Sequence, residues 1–146
     1  MKSYYLIFTV ILISCIVVGH FMALHFGCYT TSLCSAGSGR TIWVDNIFHV
    51  LAGIAFGLFL LWLLEVINFK LHYPKITLLA GVLLLALLWE LIEFLLLRYS
   101  PDFALRFSIY SPTLAEAGSD ILSNVFGWFI LVFFTTMFKK HFARIN

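Results

Sequence analysis

Asp45 and His49 stand four residues apart, Glu90 and Glu93 three apart, and Glu116, Asp120 and Asn124 follow one another at intervals of four. On an α-helix each spacing puts its side chains along one face. Carboxylates with a single imidazole form an oxygen-rich, nitrogen-poor donor set, suited to a divalent metal such as Zn, Mn, Fe or Mg. Crowded carboxylates also resist full ionisation, so one of them can act as a general acid or base without metal. The same groups could instead form a hydrogen-bonded lock between helices, with His49 paired to a carboxylate. A third use, a proton or ion path, needs polar groups along the whole helix length, and the other half of the chain's apolar stretches offers only Glu65.

The elements that carry these residues follow from composition. Of 146 residues, 62% are hydrophobic and 11% charged, and the mean hydropathy is +1.03. A water-soluble domain carries roughly 25% charge, so a soluble fold is excluded. About 20 apolar residues span a bilayer, and four stretches qualify: about 4–26, 41–67, 76–97 and 120–138. Short connections marked by Gly, Pro and Ser predict a single all-α domain over 1–146, a four-helix transmembrane bundle running up-down-up-down. The net charge of +2 does not suggest nucleic acid as a partner.

Depth brings the three polar sets together. Taking Trp43, Arg98 and Gly118 as the outer interface and about 1.5 Å of rise per residue, His49 and Asn124 lie about 9 Å down, Glu93 about 7.5 Å and Glu90 about 12 Å. Asp45 and Asp120 lie about 3 Å down on the same scale. One shared pocket opening outward is the expectation. Ala52, Gly53, Gly57 and Gly127 continue these faces inward and predict close helix packing beneath it.

Lys2, Lys70, Lys75, Lys139, Lys140 and Arg144 fall on one side of the predicted spans, and Arg40, Arg98 and Arg106 on the other. Cytoplasmic loops keep the excess of Lys and Arg, so both termini are expected inside. Cys28 and Cys34, six apart in the first outer loop, could close a disulfide or remain two free thiols. Cys15 reads as a small apolar residue within the first helix, and Trp89 as a lipid-facing or core side chain.

Asp45-Asn46-Ile47-Phe48-His49, then Trp89-Glu90-Leu91-Ile92-Glu93, then Glu116 and Asp120 followed by Asn124 and Gly127, resembles the pattern of the YjdF-like bacterial inner-membrane proteins. More distantly it is similar to VanZ-like proteins. The likeness runs from Asp45 to Gly127, with Glu116 standing where the YjdF-like pattern has Asp and with no Gly-Asp-x-Trp stretch before it. The resemblance implies a multi-pass bacterial plasma-membrane protein. VanZ-like proteins are associated with glycopeptide-antibiotic tolerance at the cell envelope, while the YjdF-like group has no established activity.

The reading that unites these observations is an outward-facing carboxylate and histidine pocket. His49, Glu90, Glu93, Asp120 and Asp45 would hold a divalent metal, Glu90 or Glu93 would serve catalysis, and Glu116 and Asn124 would complete the lining. The reaction would be metal-assisted hydrolysis or transfer on a lipid or lipid-linked envelope precursor. A non-enzymatic binding or scaffold protein tied to envelope or antibiotic tolerance, and a small transporter subunit that would have to oligomerise, are the alternative classes.

Overall fold

A computed structural model describes residues 2–26, 42–69, 73–109 and 113–142. It is all helix over these residues: α1 (Lys2–His25), α2 (Ile42–Val66), α3 (Pro74–Tyr99), the short α4 (Pro101–Phe107) and α5 (Leu114–Phe142). Four of them hold stretches long and apolar enough to cross a membrane, Tyr4–His25, Val44–Val66, Pro74–Tyr99 and Leu114–Met137. The expected all-α membrane bundle is thus the fold. The Cys28–Cys34 pair lies outside the described residues; Cys15 is a free, exposed thiol on α1.

Local sequence sets where helices stop and start. The α2 helix ends where Asn68 adopts a left-handed conformation, φ 53°, with Phe69 N–H donating to the Leu64 carbonyl at 3.1 Å, a Schellman closure. Pro74 opens α3 and Pro101 opens α4, each at a first-turn position where the missing N–H costs nothing. The α4 helix closes in the same way as α2: Ser108 has φ 51°, and Ile109 N–H reaches the Ala104 carbonyl at 3.0 Å.

Two boundaries differ from the sequence expectation. The predicted loop 98–119 contains α4, which turns back over the bundle end. There its Ala104 is fully buried, and the Phe107 carbonyl accepts a hydrogen bond from His20 Nε2 of α1 at 2.8 Å. The last span begins at Leu114 rather than near residue 120. Thr113 Oγ1 accepts the Glu116 N–H at 3.2 Å, so Thr-Leu-Ala-Glu is an N-terminal cap with its acidic residue in the first turn, and Gly118 lies inside the helix.

The bundle is not a square of sequential neighbours. The largest interface joins α2 to α5, two helices that run parallel; α1 packs on α2, and α3 on both α2 and α5. Glycine explains the α2–α5 pairing. A Cβ at Gly53 would collide with the Asn124 carbonyl oxygen, and one at Gly127 with the Val50 carbonyl oxygen, so each helix meets the other's bare backbone. Away from the polar end, Leu78 and Val82 of α3 enclose Trp128 of α5, with Phe56, Leu60 and Leu64 of α2 packed against them.

Because the obstructing atoms are backbone, Gly53→Ala and Gly127→Ala should each destabilise by about 1–3 kcal/mol, toward the upper end. Gly118→Ala, with no atom within 4 Å of the added carbon, should leave the melting temperature unchanged or raise it slightly through helix propensity. Thermal unfolding of the three variants in one detergent checks this contrast.

Candidate metal centre

The first two turns of α2 and of α5 supply the site. Asp45 and His49 come from α2 and Asp120 from α5, and one ligand atom from each lies within 4.8 Å of the other two. Asp45 is partly buried, while His49 and Asp120 are buried. His49 Nε2 stands 3.7 Å from Asp120 Oδ1. On the other edge of the ring, Asn124 Nδ2 donates to His49 Nδ1 at 3.1 Å and to the Asp120 carbonyl at 2.9 Å. Asn124 is 1% exposed, and its Oδ1 is buried without a hydrogen-bond partner among the described residues.

The apolar cluster in which Val82 and Trp128 pack with Phe56 gives each helix a reference from which to count along its axis. His49 is seven residues above Phe56, Asp120 eight above Trp128 and Glu90 eight above Val82, which is about 10–12 Å in each case. Glu93 is about one turn higher. The polar residues of α2, α3 and α5 thus stand toward the same end of their helices, with Glu93 buried and Glu90 partly buried on α3. Height is not contact, however: the close group of ligand atoms comprises Asp45, His49 and Asp120 and does not include Glu90 or Glu93. Glu116, partly buried one turn before Asp120, takes part in the Thr113 cap, with Thr113 Oγ1 3.5 Å from its Oε2.

Three residues outside the predicted set belong to the polar layer. Ser119 Oγ donates to Asn46 Oδ1 at 3.1 Å, a second α2–α5 link beside the triad. Trp89 Nε1 donates to Glu93 Oε1 at 2.6 Å, so the indole orients a carboxylate in addition to facing outward. The signals were present as spacing: Asn46 shares a face with His49, Ser119 adjoins Asp120, and Trp89 is four residues from Glu93. His20, by contrast, holds α4 to α1.

One nitrogen and two carboxylates are donors that zinc, manganese and iron(II) accept, with coordination positions left open. The unpartnered Asn124 Oδ1 adds a neutral oxygen beside the same imidazole. A metal on Nε2 requires the ring proton on Nδ1, and Nδ1–H needs an acceptor. Turning the Asn124 amide would supply Oδ1 as that acceptor, at the expense of the bond to the Asp120 carbonyl. The residues therefore fit a divalent ion, with Asn124 as the group that sets the ring's tautomer.

No protein-family model, curated protein or solved structure matches the chain. Fold and site geometry show a multi-pass membrane helix protein with a buried Asp-His-Asp group able to hold a metal.

The His49–Asn124 bond is open to a direct test. His49→Leu and Asn124→Leu should each destabilise by about 1–3 kcal/mol, because each strands a buried polar partner. The double variant should be less destabilised than the sum, by about 0.5–3 kcal/mol. A double-mutant cycle by thermal unfolding that returned strict additivity would contradict the bond.

Proposed function

We propose that Asp45, His49 and Asp120 bind one divalent metal ion, and that the protein uses it in hydrolysis or transfer at the head group of a lipid or lipid-linked envelope precursor. The observation that carries this reading is the convergence of three ligand atoms within 4.8 Å from two helices. The likeness to YjdF-like and VanZ-like proteins favours the same compartment, the outer half of a bacterial plasma membrane.

Bound there, the metal would polarise a phosphoryl or carbonyl oxygen and lower the pKa of a coordinated water. Asp45 and Asp120 would neutralise the ion's charge, and Asn124 would hold the His49 ring in its ligating orientation. Glu90, at the triad's height on α3, would accept the proton from the attacking group. Glu93, held by the Trp89 indole, would support Glu90 or the leaving group.

A second reading is supported by Asn124 Nδ2 donating to His49 Nδ1. That bond leaves the ring proton on Nε2, facing Asp120, and so describes a polar lock between α2 and α5 with no metal.

Protein purified without chelator should carry metal near one equivalent by elemental analysis. Asp120→Asn and His49→Gln should remove it, and restoring the ion to stripped wild-type protein at 100 times its dissociation constant should stabilise by about 2.7 kcal/mol. Less than a tenth of an equivalent, with no thermal shift on adding Zn, Mn, Fe or Mg, would replace the metal reading with the lock.

A further inference from the structure

At the end of the bundle opposite the triad, α3 and α5 leave a groove of about 390 Å³ lined by Lys75, Phe129, Val132, Phe133, Thr136 and Met137. Lys75 is exposed in the first turn of α3, and among the described residues no ion pair joins it to a carboxylate. The apolar floor runs from Met137 back to Phe129, eight residues of α5 or about 12 Å, away from Lys75 and toward the middle of the span. Thr136 sets one hydroxyl at the Lys75 end. The groove therefore presents a cation at one end, Thr136 and Met137 in the turn of α5 nearest it, and a strip of Val132, Phe133 and Phe129 beyond them along the helix axis.

We propose that this groove binds an anionic phospholipid, with its phosphate at Lys75, its ester region at Thr136 and an acyl chain along Phe133 and Phe129. Two features select a lipid over a second copy of the chain or a free anion. The groove lies on segments apolar enough to sit in a bilayer, where acyl chains are the surrounding solvent. The charge at this end is also one-sided: Lys70, Lys75, Lys139 and Lys140 flank the helix ends in the sequence, against Glu65, and Glu65 lines a different groove with Leu61, Leu64, Asn68, Phe69 and Pro74. Basic residues at a membrane surface attract anionic head groups, and an apolar channel continuing from the cation adds chain contacts that surface charge alone lacks.

The test uses the full chain, delipidated in a non-ionic detergent and titrated with phosphatidylglycerol or phosphatidylcholine under native mass spectrometry. Phosphatidylglycerol should bind as a discrete adduct in preference to phosphatidylcholine. Lys75→Gln should weaken that adduct roughly five-fold, while Lys70→Gln, which removes a second lysine of the same flank in the sequence, should leave it intact. Thr136→Trp, which fills the groove and keeps every charge, should weaken it too. Equal retention of the two lipids overturns the proposal. So does an equal effect of Lys70→Gln, which would mean diffuse surface charge, or inorganic phosphate binding as tightly as the lipid. A stable dimer in light scattering that excludes phosphatidylglycerol would assign the groove to a second copy and overturn it as well.

Discussion

The backbone contact between α2 and α5 is the constraint on which the polar site depends. Inside a bilayer there is no water to drive apolar helices together, so association rests on close packing and on hydrogen bonds across the interface. Gly53 and Gly127 provide the first: each lies against a carbonyl of the opposite helix, so the two axes approach more closely than any Cβ would allow. At that separation short side chains reach across. Ser119 meets Asn46, Asn124 meets His49, and Asp120 approaches His49. A wider spacing would leave these groups too far apart to serve one another, and the cost of keeping each in an apolar medium would return.

This contact also explains the layering along the axis. The half of the bundle built on Leu78, Val82 and Trp128 fills its space mainly with large apolar side chains. The other half buries Asp120, Asn124, His49 and Glu93. A charged side chain near the centre of a membrane helix costs about 2.5–3.5 kcal/mol even on the most permissive scale. Gathering the acids at one level, near one imidazole and several hydrogen-bond donors, offsets part of that cost in a way that scattered acids could not. The α4 helix contributes at the same end, since its tie to His20 spans from the end of α3 to the flank of α1.

Much of this was legible in the sequence, and the parts that were not have identifiable reasons. Four spans follow from apolar run length, and the placing of His49, Asn124, Glu93 and Glu90 in the same half of the spans follows from counting residues at a fixed rise, since a rigid helix converts sequence distance into depth. Lateral position does not follow from counting. It depends on how each helix is rotated and which neighbour it chooses, and chain connectivity argues for sequential helices rather than the parallel α2–α5 pair. The glycines mark close-packing positions in the sequence, but only the reciprocal Gly53–Asn124 and Gly127–Val50 contacts identify the partner. Height alone groups Glu90 and Glu93 with the triad, whereas the closest set of ligand atoms comprises Asp45, His49 and Asp120. The cap at Thr113 and the turn of α4 are short-range signals within a stretch whose hydropathy alone reads as a loop.

The metal centre and the polar lock use the same residues and differ in the location of one proton. With Asn124 Nδ2 donating to Nδ1, the proton sits on Nε2 and the imidazole addresses Asp120 as a donor. With the amide turned, Nδ1 donates to Asn124 Oδ1 and the Nε2 lone pair faces Asp45 and Asp120, which then need a cation between them. The bond from Asn124 to the Asp120 carbonyl favours the first arrangement, because turning the amide removes it. A divalent ion between two carboxylates and an imidazole lone pair favours the second, by far more than one neutral hydrogen bond is worth. In the metal reading Asn124 would therefore set which ring nitrogen faces the two carboxylates, its Oδ1 unpartnered among the described residues in the first arrangement and accepting from Nδ1 in the second.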